Sequence, residues 1–298
     1  MLKNKTILVT GGTGFIGSHL VERLKLDNKV IVIDNQCSDA SEPVFFKEPI
    51  YVNHDISDYE NTRKYYDNVD YVFHLAAEAR IQPTLENPIL AAKSNSLGTC
   101  TVLQCAREAG VKRVMYSSTS SAYGLKNTPP LHECMDNDCL NPYSVTKTSG
   151  EELCKMYTKL FDLETVIFRY FNVFGPRQPI KGQYAPVVGL FLRQKQAGEG
   201  MTVVGDGLQR RDFTHVKDVV EANIRAATFD NVVGETINVG TGTNYSVLEI
   251  AKMIKGTIIN IPERKGEARE TLASTYKIEK LLKFKPGRYL EEFINDNI

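Results

Sequence analysis

The sequence predicts an α/β fold, a doubly wound parallel sheet with a smaller, mixed lobe toward the C-terminus. Three observations carry that expectation. Short apolar runs alternate with longer amphipathic stretches through the first two-thirds of the chain. The runs are continuous rather than alternating, as in strands buried on both faces. After Gly175 the rhythm changes, and Pro176, Pro179, Gly182 and Pro186 punctuate a loop-rich segment.

Taken in order, strands are expected at residues 6–9, 30–33, 51–54, 71–73, 114–116 and 165–168. Helices are expected at 15–26, 88–109 and 143–161. The second lobe should open with a helix over 187–197 and a short strand over 202–204. An amphipathic helix over 216–229 should pack back on the first lobe. The expected division is therefore 1–175, joined by parts of 212–242, with 176–298 as the discontinuous second lobe.

The chain has 298 residues, 42% of them hydrophobic, enough for a large core or two fused lobes. Lys plus Arg and Asp plus Glu both number 36, so there is no basic excess of the kind a nucleic-acid partner requires. No apolar run has the length to span a bilayer, and no apolar signal run precedes the first strand, so a cytoplasmic protein is expected. The six cysteines form no CxxC pair and are expected as free thiols. His74 and His132 lack neighbours at ligand spacing, so no metal is expected.

The stretch Ile7-Leu8-Val9-Thr10-Gly11-Gly12-Thr13-Gly14-Phe15-Ile16-Gly17 runs strand, tight turn, helix start. Gly11 permits the turn, Gly14 lets backbone approach a pyrophosphate, and Gly17 permits close helix–strand packing. The second strand ends in Asp34, where a carboxylate meets ribose hydroxyls and repels a 2′-phosphate. No Arg follows directly, which favours NAD over NADP. Asp55 either meets the adenine ring or serves as a loop or helix-cap residue.

Tyr143 and Lys147 stand four apart on an expected helix, hence on one face. A tyrosine with ordinary acidity is a weak base at neutral pH. A neighbouring ammonium and a positive nicotinamide would both favour its phenolate. Upstream, the expected strand delivers Ser117, Ser118, Thr119, Ser120 and Ser121 to the carboxyl edge of the sheet, where ligands bind. A hydroxyl there either bonds the reacting oxygen or satisfies its own backbone in a Ser/Thr turn.

With these segments in this order, the chain resembles the extended short-chain dehydrogenase/reductase family, in particular its nucleotide-sugar 4-epimerases. Further marks are Asp34-Asn35, His74-Leu75-Ala76-Ala77, Asn95 in Asn-Ser-Leu-Gly-Thr, Arg169 to Arg177, and Arg210-Arg211-Asp212-Phe213-Thr214-His215-Val216. The resemblance spans essentially the whole chain and implies a Rossmann-type sheet with a C-terminal substrate lobe. It implies Tyr143 as base, Lys147 as its electrostatic helper and Thr119 as the hydroxyl partner. Cofactor contacts would come from Gly11, Gly14, Phe15, Ile16, Gly17, Asp34, Asn35, Asp55, Ile56, Leu75, Ala76, Ala77, Asn95, Ser117, Tyr143, Lys147 and Tyr170. Substrate contacts would come from Arg80, Thr119, Ser120, Ser121, Tyr143, Asn172, Val187, Val188, Val204, Arg211 and Thr271. Arg211 would clamp the pyrophosphate, with Arg264 or Arg269 as a second cation; a surface salt bridge is the alternative for any of the three.

The 4,6-dehydratases of the family place Asp-Glu directly after the hydroxyl residue, and its UDP-glucuronate decarboxylases place a Glu nearby. Ser120 and Ser121 occupy those positions here. Epimerisation of a UDP-sugar with NAD is therefore expected, on UDP-GlcNAc/UDP-GalNAc, UDP-Glc/UDP-Gal or both. A small Thr271 beside the C2 substituent would admit the N-acetylated pair. The alternatives are a 4-ketoreductase, a UDP-glucuronate epimerase or a silent NAD-binding regulator. The two long helices would pair with a second copy in a homodimer, or face the sheet.

Overall fold

A computed structural model of the chain describes residues 2–38, 42–180, 185–263, 268–287 and 289–298. Its centre is a seven-stranded sheet. The strands are β1 (Thr6–Thr10), β2 (Lys29–Ile33), β3 (Ile50–Val52), β4 (Tyr71–His74), β5 (Arg113–Thr119), β6 (Glu164–Tyr170) and a last strand, Thr236–Val239. They lie in the order β3-β2-β1-β4-β5-β6 and Thr236–Val239, every neighbouring pair parallel. This is the doubly wound, Rossmann-like order, in which the strand sequence reverses between β1 and β4.

The pleat of each strand sorts its apolar residues onto two cores. Ile7 and Val9 of β1, Val30 and Val32 of β2, and Phe73 of β4 enter one core with Leu20, Val21 and Leu24 of helix α1 (Phe15–Leu24). Leu8, Ile31, Ile33 and Val72 enter the other, with Val102, Leu103 and Ala106 of the helix Gly98–Glu108 and Cys154 and Tyr157 of the helix Pro142–Phe161. Burial of each Val, Leu, Ile or Phe side chain among them contributes about 1.5–3 kcal/mol. The helix Val216–Thr228 supplies Val219, Val220, Ala222 and Ala226 to the first core.

A third core gathers Phe174, Val188, Phe191, Met201, Val203, Phe213, Ile250, Ile254 and Ile294. It holds the helices Val187–Gln196 and Val247–Ile254 against a two-stranded parallel pair, Met201–Val204 with Ile258–Ile261.

Two expected elements differ. The strand expected at residues 51–54 is confined to Ile50–Val52, so His54 has already left the sheet. The helix expected over 88–109 is three segments: Pro88–Ala91, a π-helical stretch Ala92–Leu97, and Gly98–Glu108. The wide turn adds a residue to the ladder. It carries Asn95, which is buried and reaches across to Thr146 on the helix Pro142–Phe161 (Nδ2 to Oγ1, 3.0 Å). At the next turn Gly98 lets the helix lie on Ile56, whose Cδ1 would stand 2.7 Å from a Cβ there.

Candidate active site

The carboxyl ends of β1, β4, β5 and β6 open into one cavity of about 530 Å³. Its floor is the glycine turn after β1. Gly11 has φ +70°, and a Cβ on it would lie 2.6 Å from the Ala76 amide nitrogen, so only glycine fits between β1 and the chain leaving β4. A Cβ on Gly17 would run into the Gly11 carbonyl and lie 2.8 Å from Gly12 Cα. Gly14 differs: its φ is −76°, and a Cβ would meet only Gly11 O at 3.5 Å. Nothing in the protein requires a glycine at Gly14, which opens the N-terminus of α1 toward a ligand. That helix start also carries no side-chain cap, so its first amides are available to an anion. This cradle fits the pyrophosphate of a dinucleotide.

Asp34, at the end of β2, accepts hydrogen bonds from the Thr13 amide (2.9 Å) and the Gln36 amide (2.8 Å). A carboxylate has about four acceptor positions, so two remain for ribose hydroxyls. Beneath the floor, His74 is fully buried between Thr10 Oγ1 (2.7 Å) and Thr99 Oγ1 (2.9 Å). Burial pushes its pKa down to about 3, so it stays neutral. Thr10 Oγ1 in turn accepts from the Leu75 and Ala76 amides (both 3.2 Å), which fixes the loop that lines the cavity.

Tyr143 sits in the first turn of the helix Pro142–Phe161. Asn141 caps that turn, its Oδ1 accepting from the Ser144 amide at 2.9 Å, while Pro142 occupies the first helical position. Lys147 follows one turn on, and both side chains line the cavity together with Thr119 at the end of β5. The Thr119 hydroxyl bonds the Tyr143 phenol, which favours its phenolate. Burial outweighs that bond and pushes the Tyr143 phenol up. The Lys147 ammonium stands over the Tyr116 ring, 4.5 Å from its centroid. Lys147 is itself pushed down to about 8 by burial, against the opposing influence of Cys154 and Glu151. Tyr170 Oη meets Ser117 Oγ at 3.0 Å and accepts from Asn223 Nδ2 at 2.8 Å, closing the wall at β6.

Of the remaining expected contacts, Gly11, Phe15, Ile16, Gly17, Leu75, Ala77, Arg80, Ser117, Ser120, Ser121, Tyr170, Asn172, Val187, Val188, Val204, Arg211 and Thr271 line the cavity. Asn172, in the left-handed region at φ +26°, donates from Nδ2 to Asp212 O (2.9 Å) beside Thr271 Oγ1 (3.5 Å). Arg211 Nη1 donates to the Arg210 carbonyl at 3.0 Å.

Several expected contacts stand off the wall. Asn95 spends its amide on the Glu78 backbone (2.8 and 3.1 Å) and on Thr146, so it braces the wall from behind. Asp55 accepts from the Ser57 amide and forms an ion pair with Lys93 at 2.8 Å. Ile56 is core, and Asn35 is exposed, bonding the Cys37 amide. Arg269 is exposed and pairs with Asp206 at 2.9 and 2.6 Å. Arg264 lies outside the described residues.

Residues the sequence reading passed over include Gln82, Tyr123, Gln209 and Phe213 on the wall. Asp212 was also passed over. It is fully buried and accepts from the Thr241 amide and hydroxyl (2.8 and 2.7 Å), the Gly242 amide (2.9 Å) and the Ala273 amide (3.1 Å). Its carboxylate ties Arg211 and Thr271 to the loop after the last strand. Its place in the Arg210–Val216 motif was the signal available. Among the described lining residues Arg80, Lys147 and Arg211 are cations, and none is Asp or Glu.

A parallel sheet with a dinucleotide cradle at its switch point, a Tyr–Lys–Thr cluster beside it and a cavity with three cations among its described lining residues define an NAD-dependent enzyme of the extended short-chain dehydrogenase/reductase class. The sequence model of the NAD dependent epimerase/dehydratase family matches residues 7–240, and the chain belongs to that family. A putative UDP-glucose 4-epimerase of Methanocaldococcus jannaschii is 36% identical over 297 residues, covering 97% of this chain and 95% of that protein. A UDP-N-acetyl-alpha-D-glucosaminuronate decarboxylase of Bacillus cytotoxicus is 36% identical over 318 residues, covering 99% and 97%. Among solved structures, UDP-N-acetylglucosamine 4-epimerase from Methanobrevibacter ruminantium, in complex with UDP-N-acetylmuramic acid, superposes with a TM-score of 0.93. It is 32% identical, and the match covers 99% of this chain and 97% of that one. The protein is an enzyme of the epimerase class.

Proposed function

We propose that the protein interconverts the C4 epimers of a UDP-hexose or UDP-N-acetylhexosamine. The observation that carries this reading is the pairing of Tyr143 and Thr119 on a cavity wall whose described residues include three cations and no carboxylate. Dehydration or decarboxylation in this family uses an acid beside the hydroxyl residue, and Ser120 and Ser121 stand there instead. NAD held by the glycine cradle and Asp34 would supply the acceptor for a hydride from sugar C4 and the donor that returns it to either face of the ring. Tyr143 takes the 4-hydroxyl proton and gives it back, with Thr119 bonded to the same oxygen. Lys147, protonated below its pKa of about 8, favours the phenolate and anchors ribose hydroxyls. Arg211 and Arg80 hold the diphosphate, and the apolar Val187, Val188 and Val204 border the base. The small neighbours Ala79, Ser120, Ser121, Gly124 and Thr271 leave room for the sugar to turn over.

Residues from 176 on act as the substrate lobe, apart from those of 212–242 that return to the sheet. Thr271 leaves space beside C2, so the N-acetylated pair is accepted as well as the plain hexoses. Ile89, Leu97, Val145 and Leu160 are exposed on the two long helices and fit a homodimer. Six cysteines without a disulfide fit a reducing, cytoplasmic setting.

The test is incubation of the purified enzyme with UDP-GlcNAc, and separately UDP-glucose, without added cofactor. Anion-exchange chromatography should show the galacto-isomer of each. Substitution Thr271→Tyr should slow the N-acetylated pair and spare the other. Equal slowing of both would remove Thr271 as the selector, and no conversion of either sugar would end the epimerase reading.

A further inference from the structure

Behind the reacting groups runs a buried polar chain that the chemistry above does not use. Glu151 lies one turn beyond Lys147 on the helix Pro142–Phe161 and is fully buried. Its Oε1 accepts from Ser118 Oγ (2.5 Å) and Arg169 Nε (2.9 Å), and its Oε2 from Arg169 Nη2 (2.6 Å). Arg169, on β6, also donates from Nη2 to Asn137 Oδ1 (2.6 Å) and covers the Tyr123 ring, 4.6 Å from its centroid. Tyr123 donates to Asn238 Oδ1 (2.6 Å) on the last strand. An ion pair inside a protein costs desolvation that hydrophobic packing would not, so stability alone is a weak reason for it.

We infer that Glu151 is a positioning residue of the reacting centre: clamped by Ser118 and Arg169, it fixes the Thr119 end of β5 against the turn that carries Tyr143 and Lys147. The inference rests on the Tyr–Lys–Thr reading of the site. Ser118 is the residue before Thr119, so its bond to Glu151 sets where the Thr119 hydroxyl meets Tyr143. Glu151 also sets the field at Lys147. The titratable groups facing Lys147 are Tyr143, Glu151 and Cys154 on its own helix, Tyr116 from β5 and His74 from β4. Burial holds Cys154 and Tyr116 as neutral thiol and phenol, and His74 as neutral imidazole. Glu151 stands one turn from Lys147 on the same helix face and opposes the lowering that burial imposes on it.

The test compares wild-type holoenzyme with Glu151→Gln and Ser118→Ala. Competitive acetylation of Lys147, followed by mass spectrometry across pH, reads its titration directly and needs no turnover. In Glu151→Gln the midpoint should fall, and in Ser118→Ala it should stay. With UDP-glucose, both variants should lose kcat by on the order of tenfold or more, as misplacing a reacting group does, with KM within about twofold. An unmoved Lys147 midpoint in Glu151→Gln overturns the inference, as does unchanged kcat in Ser118→Ala. If Glu151→Gln does not fold, the kcat and KM of Ser118→Ala decide alone. A wild-type enzyme that epimerises nothing, yet shows the midpoint shift, would contradict the proposed reaction and leave the role of Glu151 standing.

Discussion

The glycine cradle allows a sharp prediction, because a methyl is excluded by the protein's own backbone at Gly17 but not at Gly14. In Gly17→Ala the new methyl would collide with the Gly11 carbonyl and lie 2.8 Å from Gly12 Cα and 2.9 Å from Gly11 C. Carbon atoms settle at about 3.5–4.0 Å, so the start of α1 must retreat by roughly 1 Å. All the colliding atoms are backbone and none can rotate away. The helix is also pinned by Leu20, Val21 and Leu24, each at most 2% exposed. Overpacking of this kind costs about 1–3 kcal/mol, and the upper end applies here. The same retreat draws the first-turn amides off the pyrophosphate, and a loss of about 1.4 kcal/mol there is tenfold in NAD affinity. Gly14→Ala is the control: its methyl meets only Gly11 O at 3.5 Å, and φ −76° suits any residue. It should leave the Tm of the cofactor-free protein unchanged while weakening NAD binding. Thermal unfolding with and without NAD, together with the absorbance of copurified cofactor, measures both effects. Equal loss of Tm in the two variants, or a Gly17→Ala protein with normal Tm and bound NAD, would refute the reasoning.

Three further outcomes follow from the geometry. Tyr143→Phe removes the proposed proton acceptor and should lower kcat by about 10²–10⁴ while NAD still copurifies; assay of UDP-glucose turnover beside cofactor absorbance checks both. In the cofactor-free protein Lys147 has a folded pKa of about 8 against an ordinary 10.5, so the unfolded chain holds more protons between those values. Stability attributable to Lys147 should therefore rise with pH through that window. Lys147→Met should be the more stable protein at pH 7, by on the order of 3 kcal/mol, with the gap closing by pH 10 in parallel thermal scans. In Asp212→Asn the amide nitrogen faces at least one backbone N–H donor whichever carboxylate oxygen it replaces. A loss of about 2–4 kcal/mol is expected, read as a lower midpoint in urea, with weaker UDP binding because Arg211 and Thr271 lose their tie.

Much of this fold was legible because its signals are local. The runs at Thr6–Thr10, Lys29–Ile33 and Tyr71–His74 are apolar on both pleats, and both pleats found cores. The Tyr143–Lys147 pair needed only helical spacing to share a face. What escaped depends on partners far along the chain. Arg269 is turned outward by Asp206, 63 residues away. Asp212 is satisfied by donors 29 to 61 residues off. Glu151 looked like any helix carboxylate until Arg169 and Ser118 closed on it. The π turn at Ala92–Leu97 has no residue signature of its own, and only the reach of Asn95 to Glu78 and Thr146 explains it.

The central claim is that hydrogen leaves and returns to sugar C4 within one site. UDP-glucose carrying deuterium at C4, incubated with the purified enzyme and no added cofactor, tests it directly. UDP-galactose with the deuterium retained at C4 is the expected product. Product that has exchanged the label for solvent hydrogen, or no product from an enzyme holding NAD, would contradict it.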